Sequence, residues 1–126
     1  MEAKLPIYNS IQEQEPCKVY TCYRTTIAIN NKLEELTEET NTIHQRINEL
    51  AAKVTDETPA DEVKKIREAM RPLEEKASQL TFDSIRLFFP EFTVEDFEKL
   101  DPYDYQTFVL QIGAMRGKIY SRAQKN

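Results

Sequence analysis

Glycine is nearly absent, with two residues in 126, and tryptophan is missing altogether. So few glycines exclude an all-β chain built on many tight turns and favour long helices. Cysteine is limited to Cys17 and Cys22, and histidine to His44. Two thiols and one distant imidazole cannot fill the positions of a structural zinc site. The thiols read either as half of a metal site or as two small, partly covered side chains on a strand or extended arm. Basic charge is also short: 17 Lys and Arg stand against 22 Asp and Glu, a net charge of −5. That disfavours nonspecific nucleic-acid binding, which needs a basic face to displace counterions. No apolar run approaches the roughly 18 residues of a membrane span. The opening "MEAKLPIYNS" lacks the apolar stretch of a signal peptide. The expectation is one soluble domain in a reducing cytoplasm, without a disulfide and without a membrane or nucleic-acid partner.

Residues 1–16 are polar, charged and proline-containing, without periodicity, and read as a flexible or partner-ordered arm. A single helical domain over 17–126 follows. It opens with "CKVYTCYRTT", where Val19, Thr21 and Tyr23 alternate with Lys18, Tyr20, Cys22 and Arg24. That fits a strand with two mixed faces over 17–25. One strand is not stable alone, so it must pair with another chain, pair with the arm, or lie on helices.

The strongest pattern comes next. Ile29, Leu33, Leu36, Thr40, Ile43, Ile47, Leu50 and Val54 fall at alternating spacings of four and three, an a/d seam that predicts a helix over 26–54. "TDETPADE" breaks it. Thr58 as cap, Pro59 in the first turn and Asp61 behind it open a second helix over 59–71. Val63, Ile66, Met70, Leu73, Ala77 and Leu80 form a second seam, and two seams with a short connection predict an antiparallel hairpin. Pro72 lacks an amide donor and clashes with the turn before it, so a kink or a fresh helix over 72–89 is expected. Pro90 ends that helix. Thr93 and Asp96 cap a short helix over 94–100. Asp101, Pro102 and Asp104 open a last helix over 102–121, whose apolar stripe is Tyr105, Phe108, Val109, Ile112, Met115 and Ile119. Gly113 and Gly117, four apart on one face, suggest close approach of a neighbouring helix. The fold class expected is mainly all-α: a long helical hairpin, a small C-terminal helical cap and one short N-terminal strand.

No catalytic constellation stands out. His44 lies mid-helix beside a seam residue, and a Ser–His–Asp or Cys–His device would need it fixed in a pocket. "GAMRG" lacks the lysine and Ser/Thr of a phosphate loop. The stretch "LFFPEFTVEDFEKLDPYDYQTF" concentrates carboxylates, but it holds no glycine for a calcium loop. Helix-end electrostatics accounts for its acids more simply, with Arg116, Lys118 and Arg122 answering at the far end of the last helix. That helix offers Tyr103, Asp104, Tyr105 and Gln106 in its first turns, a poor face for DNA. No cofactor, metal ligand set or catalytic residue is assigned.

The order "KVYTCYRTT", "IAINNKLEEL", then far downstream "FFPEFTVEDFEKLDPYDYQTFVLQI" resembles the tail assembly chaperones of long-tailed bacteriophages and prophages. The likeness covers residues 18–36 and 78–112, while the hairpin at 37–77 is longer than the family pattern. The resemblance implies a non-enzymatic protein of the bacterial host's cytoplasm. It implies the tape measure protein, whose amphipathic helices would be kept soluble, and the tail tube protein as partners. Ile29, Leu33, Leu36, Phe82, Leu87 and Phe88 are then candidate groove or self-association positions, each otherwise plain core. Glu91, Glu95 and Glu98 are the acids left to meet a partner. The family often makes a longer frameshifted product, and Gln124-Lys125-Asn126 can be encoded by a slippery run. The competing reading is a structural or regulatory coiled-coil protein whose seams drive homo-oligomerisation. An enzyme stands third.

Overall fold

A computed structural model describes residues 2–125, with side chains described for residues 2–117. It is mainly helical, with one short antiparallel sheet. The order is β1 (Ala3–Ile7), β2 (Lys18–Cys22), α1 (Ile27–Ala51), α2 (Ala60–Phe88), α3 (Val94–Glu98) and α4 (Pro102–Lys125). The residues group into two compact units. One comprises residues 1–31 and 85–126, the other residues 32–84. Helices α1 and α2 run through both.

The first correction concerns the arm. Residues 3–7 are not a loose extension; they form β1, paired in register with β2 from Ala3↔Cys22 to Ile7↔Lys18. Ala3, Leu5 and Ile7 are buried, with Lys4 and Pro6 alternating outward. This is a period-2 strand pattern that the proline hides. The Lys4 amide faces away from β2 and donates to Gln111 Oε1 of α4 at 2.8 Å. Pro6, two residues on, points the same way, so its missing N–H removes no ladder bond. The arm is thus the strand partner of β2. Tyr20 and Cys22 are the inward residues of β2, while Val19 and Tyr23 are exposed. The Cys17 amide donates to the Ile7 carbonyl and closes the pairing. Cys17 is exposed and Cys22 buried, both free.

In α1 every predicted seam position from Ile29 to Leu50 is buried or half-buried, and most others are exposed. The helix stops at Ala51, three residues before the seam's last apolar position, and Val54 is exposed in the connection. Thr26 accepts from the Ile29 amide at its start. The Thr58 hydroxyl, expected to cap α2, works in the connection instead: it accepts from the Thr55 amide at 2.8 Å and donates to the Lys53 carbonyl. A second correction concerns Pro72, which does not divide the helix: α2 is continuous from Ala60 to Phe88. Pro72 is exposed, and the seam runs on from Met70 to Leu73, both half-buried.

At the end of α2 the Arg86 guanidinium donates twice to the Pro90 carbonyl, at 2.8 and 3.2 Å. Thr93 caps α3 by accepting from the Asp96 amide, and Asp101 caps α4 by accepting from the Tyr103 amide. Both caps are as the sequence indicates. The glycine expectation is overturned: nothing lies within 4 Å of where a Cβ would stand on Gly113 or Gly117, and both are exposed. Among the described residues no neighbouring helix packs on them. The side chains of Lys118, Ile119 and Arg122, and the tail at Asn126, lie outside the described residues.

Candidate functional site

In the 32–84 unit the two seams face each other as an antiparallel pair. Ile43, Ala77 and Leu80 form its buried core, with Leu36, Ile47 and Leu73 packed against them. Lys76 and Glu39 bridge the pair at 3.2 Å. Toward the connection the cover thins. Leu50, Val63, Ile66 and Met70 are only half-buried, as are Leu33 and Leu36 at the other end. Two helices side by side cover one flank of each apolar stripe, so the other flank stays open to an added helix. Acids and bases flank the stripe. His44 is exposed beside buried Ile43.

The other unit closes on aromatic rings. Phe92, 2% exposed, lies with its ring centroid 5.2 Å from Tyr20 and 6.4 Å from Phe97. Phe89 stacks at 5.2 Å on Tyr20 and 5.6 Å on Phe108. Such tilted and edge-on pairs add to plain burial. The proline corner is thus folded over β2, from its own chain.

Asp96 does more than stand in a first turn. It is buried, accepts from the Tyr20 hydroxyl, and is paired with Lys18 Nζ at 3.0 Å. Burial pushes its carboxyl up, but the hydrogen bonds from Tyr20 and Lys18, the Lys18 charge and the Thr93 bond outweigh it and hold it below the usual range. Tyr20 is raised by burial and by the Asp96 bond, and Lys18 is raised chiefly by its bond to Asp96. The three atoms lock β2 to α3 with every charge answered. Asp104 differs: burial, then the Asp101 charge, push its carboxyl up. Cys22 is raised by burial and donates to the Arg24 carbonyl, the state of an unreactive thiol. Among the described residues no three His, Cys, Asp or Glu side chains gather as a metal site.

The candidate partner residues fall in both units. Leu33 and Leu36 lie on the half-covered seam of α1, and Phe82 in the same unit is buried. Ile29, Leu87 and Phe88 are half-buried in the other unit, with the Phe88 ring 5.7 Å from Phe108. Glu91, Glu95 and Glu98 are exposed, with Glu95 3.7 Å from Lys99. Sequence reasoning missed two polar positions. Asn30, 1% exposed, takes a hydrogen bond from the Thr25 hydroxyl at 3.0 Å. Asp96 was placed as a capping residue only. Its partner Tyr20 is 76 residues away, and no local pattern signals that pairing.

An open cleft of about 650 Å³ lies between the β1–β2 connection and the α3–α4 turn, lined among others by Tyr8, Asn9, Ile11, Glu13, Lys99 and Asp101. No helix of the described residues is long and apolar enough to cross a membrane. The comparisons with known proteins return nothing: no family model, no curated protein and no solved structure matches this chain.

Proposed function

We propose that this chain is a non-enzymatic helix-binding protein of the tail assembly chaperone type, holding amphipathic helices of a tape measure protein and aiding delivery of tail tube subunits in the bacterial cytoplasm. The observation that carries the reading is the half-covered double seam, on which Leu33, Leu36, Leu50, Ile66 and Met70 keep part of their apolar surface in water. A helix-in-groove complex needs such a stripe, framed by charge that keeps the empty groove soluble. The net charge of −5 suits that frame. Glu91, Glu95 and Glu98 add an acidic edge in the other unit.

The reading expects a long helical tape measure protein to be encoded beside this chain, and the direct test is co-expression with that protein. The soluble fraction of that protein should rise, and Leu36→Glu together with Ile66→Glu should abolish the gain. Equal insolubility with and without this chain would end the reading. The same open seam also favours the coiled-coil alternative, in which identical chains cover one another. There the double variant would change the mass in solution and leave the neighbour's solubility untouched.

A further inference from the structure

The Glu39–Lys76 bridge at 3.2 Å fixes how α1 and α2 face each other on one flank of the seam. In an antiparallel pair of helices, one heptad forward along α1 is one heptad back along α2. The position equivalent to Glu39 is then Arg46, and the position equivalent to Lys76 is Ala69. Where the first pair sets acid against base, the second sets a guanidinium against a methyl group. A pocket of about 430 Å³ opens at that place, lined among others by Arg46, Ala69, Leu50, Leu73 and Lys53.

The lining combines apolar surface with unanswered positive charge. Leu50 and Leu73 are seam residues that the hairpin covers only by half, and Arg46 and Lys53 are exposed. Among the described residues neither Arg46 nor Lys53 makes an ion pair or a side-chain hydrogen bond. Glu49, the one acid of the lining, bonds to neither. One further heptad would set Lys53 toward Glu62, but α1 has ended at Ala51 and no bridge forms. A helix that carries a carboxylate beside an apolar side chain matches this lining, the carboxylate on the guanidinium and the apolar group on the leucines. A basic helix would meet its own sign there, and an uncharged one would strip water from Arg46 without replacing it.

We infer that this pocket anchors the bound helix and selects an acidic one: an aspartate or glutamate of the partner takes the place across from Arg46, and an apolar side chain one turn away packs on Leu50 and Leu73. The inference rests on the helix-binding reading of the seam and names the chemistry of the helix bound. It runs against the charge of the protein as a whole, since a net charge of −5 by itself favours a basic partner.

The test uses the full chain and two labelled amphipathic helical peptides with the same leucine seam, one with Glu and one with Lys at the positions flanking it. Binding is read by fluorescence anisotropy at low salt. The Glu peptide should bind about tenfold tighter than the Lys peptide, the scale of one charge-assisted bond. Arg46→Gln should remove that preference. Ala69→Glu should remove it too, by supplying the missing acid from within the hairpin, with the melting midpoint held or raised. Ala69→Gln, which fills the place without charge, should keep it. A Lys peptide that binds as tightly as the Glu peptide, or more tightly, overturns the inference. So does a preference that survives Arg46→Gln or Ala69→Glu, which places the discrimination elsewhere. If both peptides bind alike and Leu36→Glu with Ile66→Glu abolishes both, the inference falls and helix binding by the seam stands. If neither peptide binds, both fall.

Discussion

The two units solve burial in opposite ways. Residues 32–84 bury apolar surface through two neighbouring helices with a short connection, and cover well only Ile43, Ala77, Leu80 and Phe82. Residues 1–31 and 85–126 bring together positions that are remote in the chain, Tyr20 with Phe92 and Lys4 with Gln111, and close on rings that are almost fully covered. A helical pair gains order from its own hydrogen bonds but cannot enclose a core with two cylinders. A hairpin laid against helices encloses more, at the entropic cost of closing long loops. The unit of residues 1–31 and 85–126 therefore has the better-closed core, and the unit of residues 32–84 keeps a seam that is only half-covered.

The sharpest way to break this contrast is Phe92→Ala. It should cost about 3–5 kcal/mol, read by denaturant unfolding with tyrosine fluorescence. Ile43→Ala should cost toward about 2 kcal/mol, the low end for such a truncation, since its surroundings are partly open. Equal losses would erase the distinction. Pro72→Ala tests the helical unit in the other direction. Restoring an amide inside α2 should stabilise by up to about 3 kcal/mol, and an unchanged melting point would mean the helix already bends to accommodate the proline.

Asp96→Asn comes next, at about 1–3 kcal/mol for weakening a buried, charge-assisted bond. Its folded carboxyl lies below the usual value, so its stabilisation is whole above about pH 4, where the unfolded carboxyl is ionised. That contribution is lost as pH falls through the lower folded value, because the unfolded chain takes up the proton first. Acid titration of stability should be flatter in the variant than in the parent. Asp104 acts with the opposite sign: its raised carboxyl binds the proton more tightly when folded and gains stability as pH drops, partly offsetting the loss. The smallest effect is Gly113→Ala, a gain of about 1 kcal/mol from helix propensity, since nothing stands near the added methyl. A loss at concentrations where the chain is single would show a contact that the isolated fold does not contain.

Legibility follows the same division. The seams were readable because one helix face repeats every seven residues, whatever it later meets. The caps at Thr93 and Asp101 were readable because a cap bonds only to the turn beside it. Strand β1 was not, since three alternating apolar residues around Pro6 are too short a signal to separate from a loose arm. The Tyr20–Asp96 bond was not, because each residue has a sufficient local explanation by itself. Of the candidate partner residues, Leu33 and Leu36 sit on an open flank while Phe82 is buried, a separation that periodicity cannot make: seam positions are equivalent in the pattern and differ only in what covers them.

The amino-acid sequence by itself determined the helical hairpin, its connection and the starts of the last two helices, because helix periodicity and capping act within a few residues. Tertiary structure alone decided that the N-terminal segment pairs with β2, that the carboxylate of Asp96 is a buried tie to Tyr20 and Lys18, and that the two glycines face solvent. Those outcomes depend on which surfaces meet across long stretches of chain. Burial, unlike periodicity, is a property of the neighbours and not of the residue.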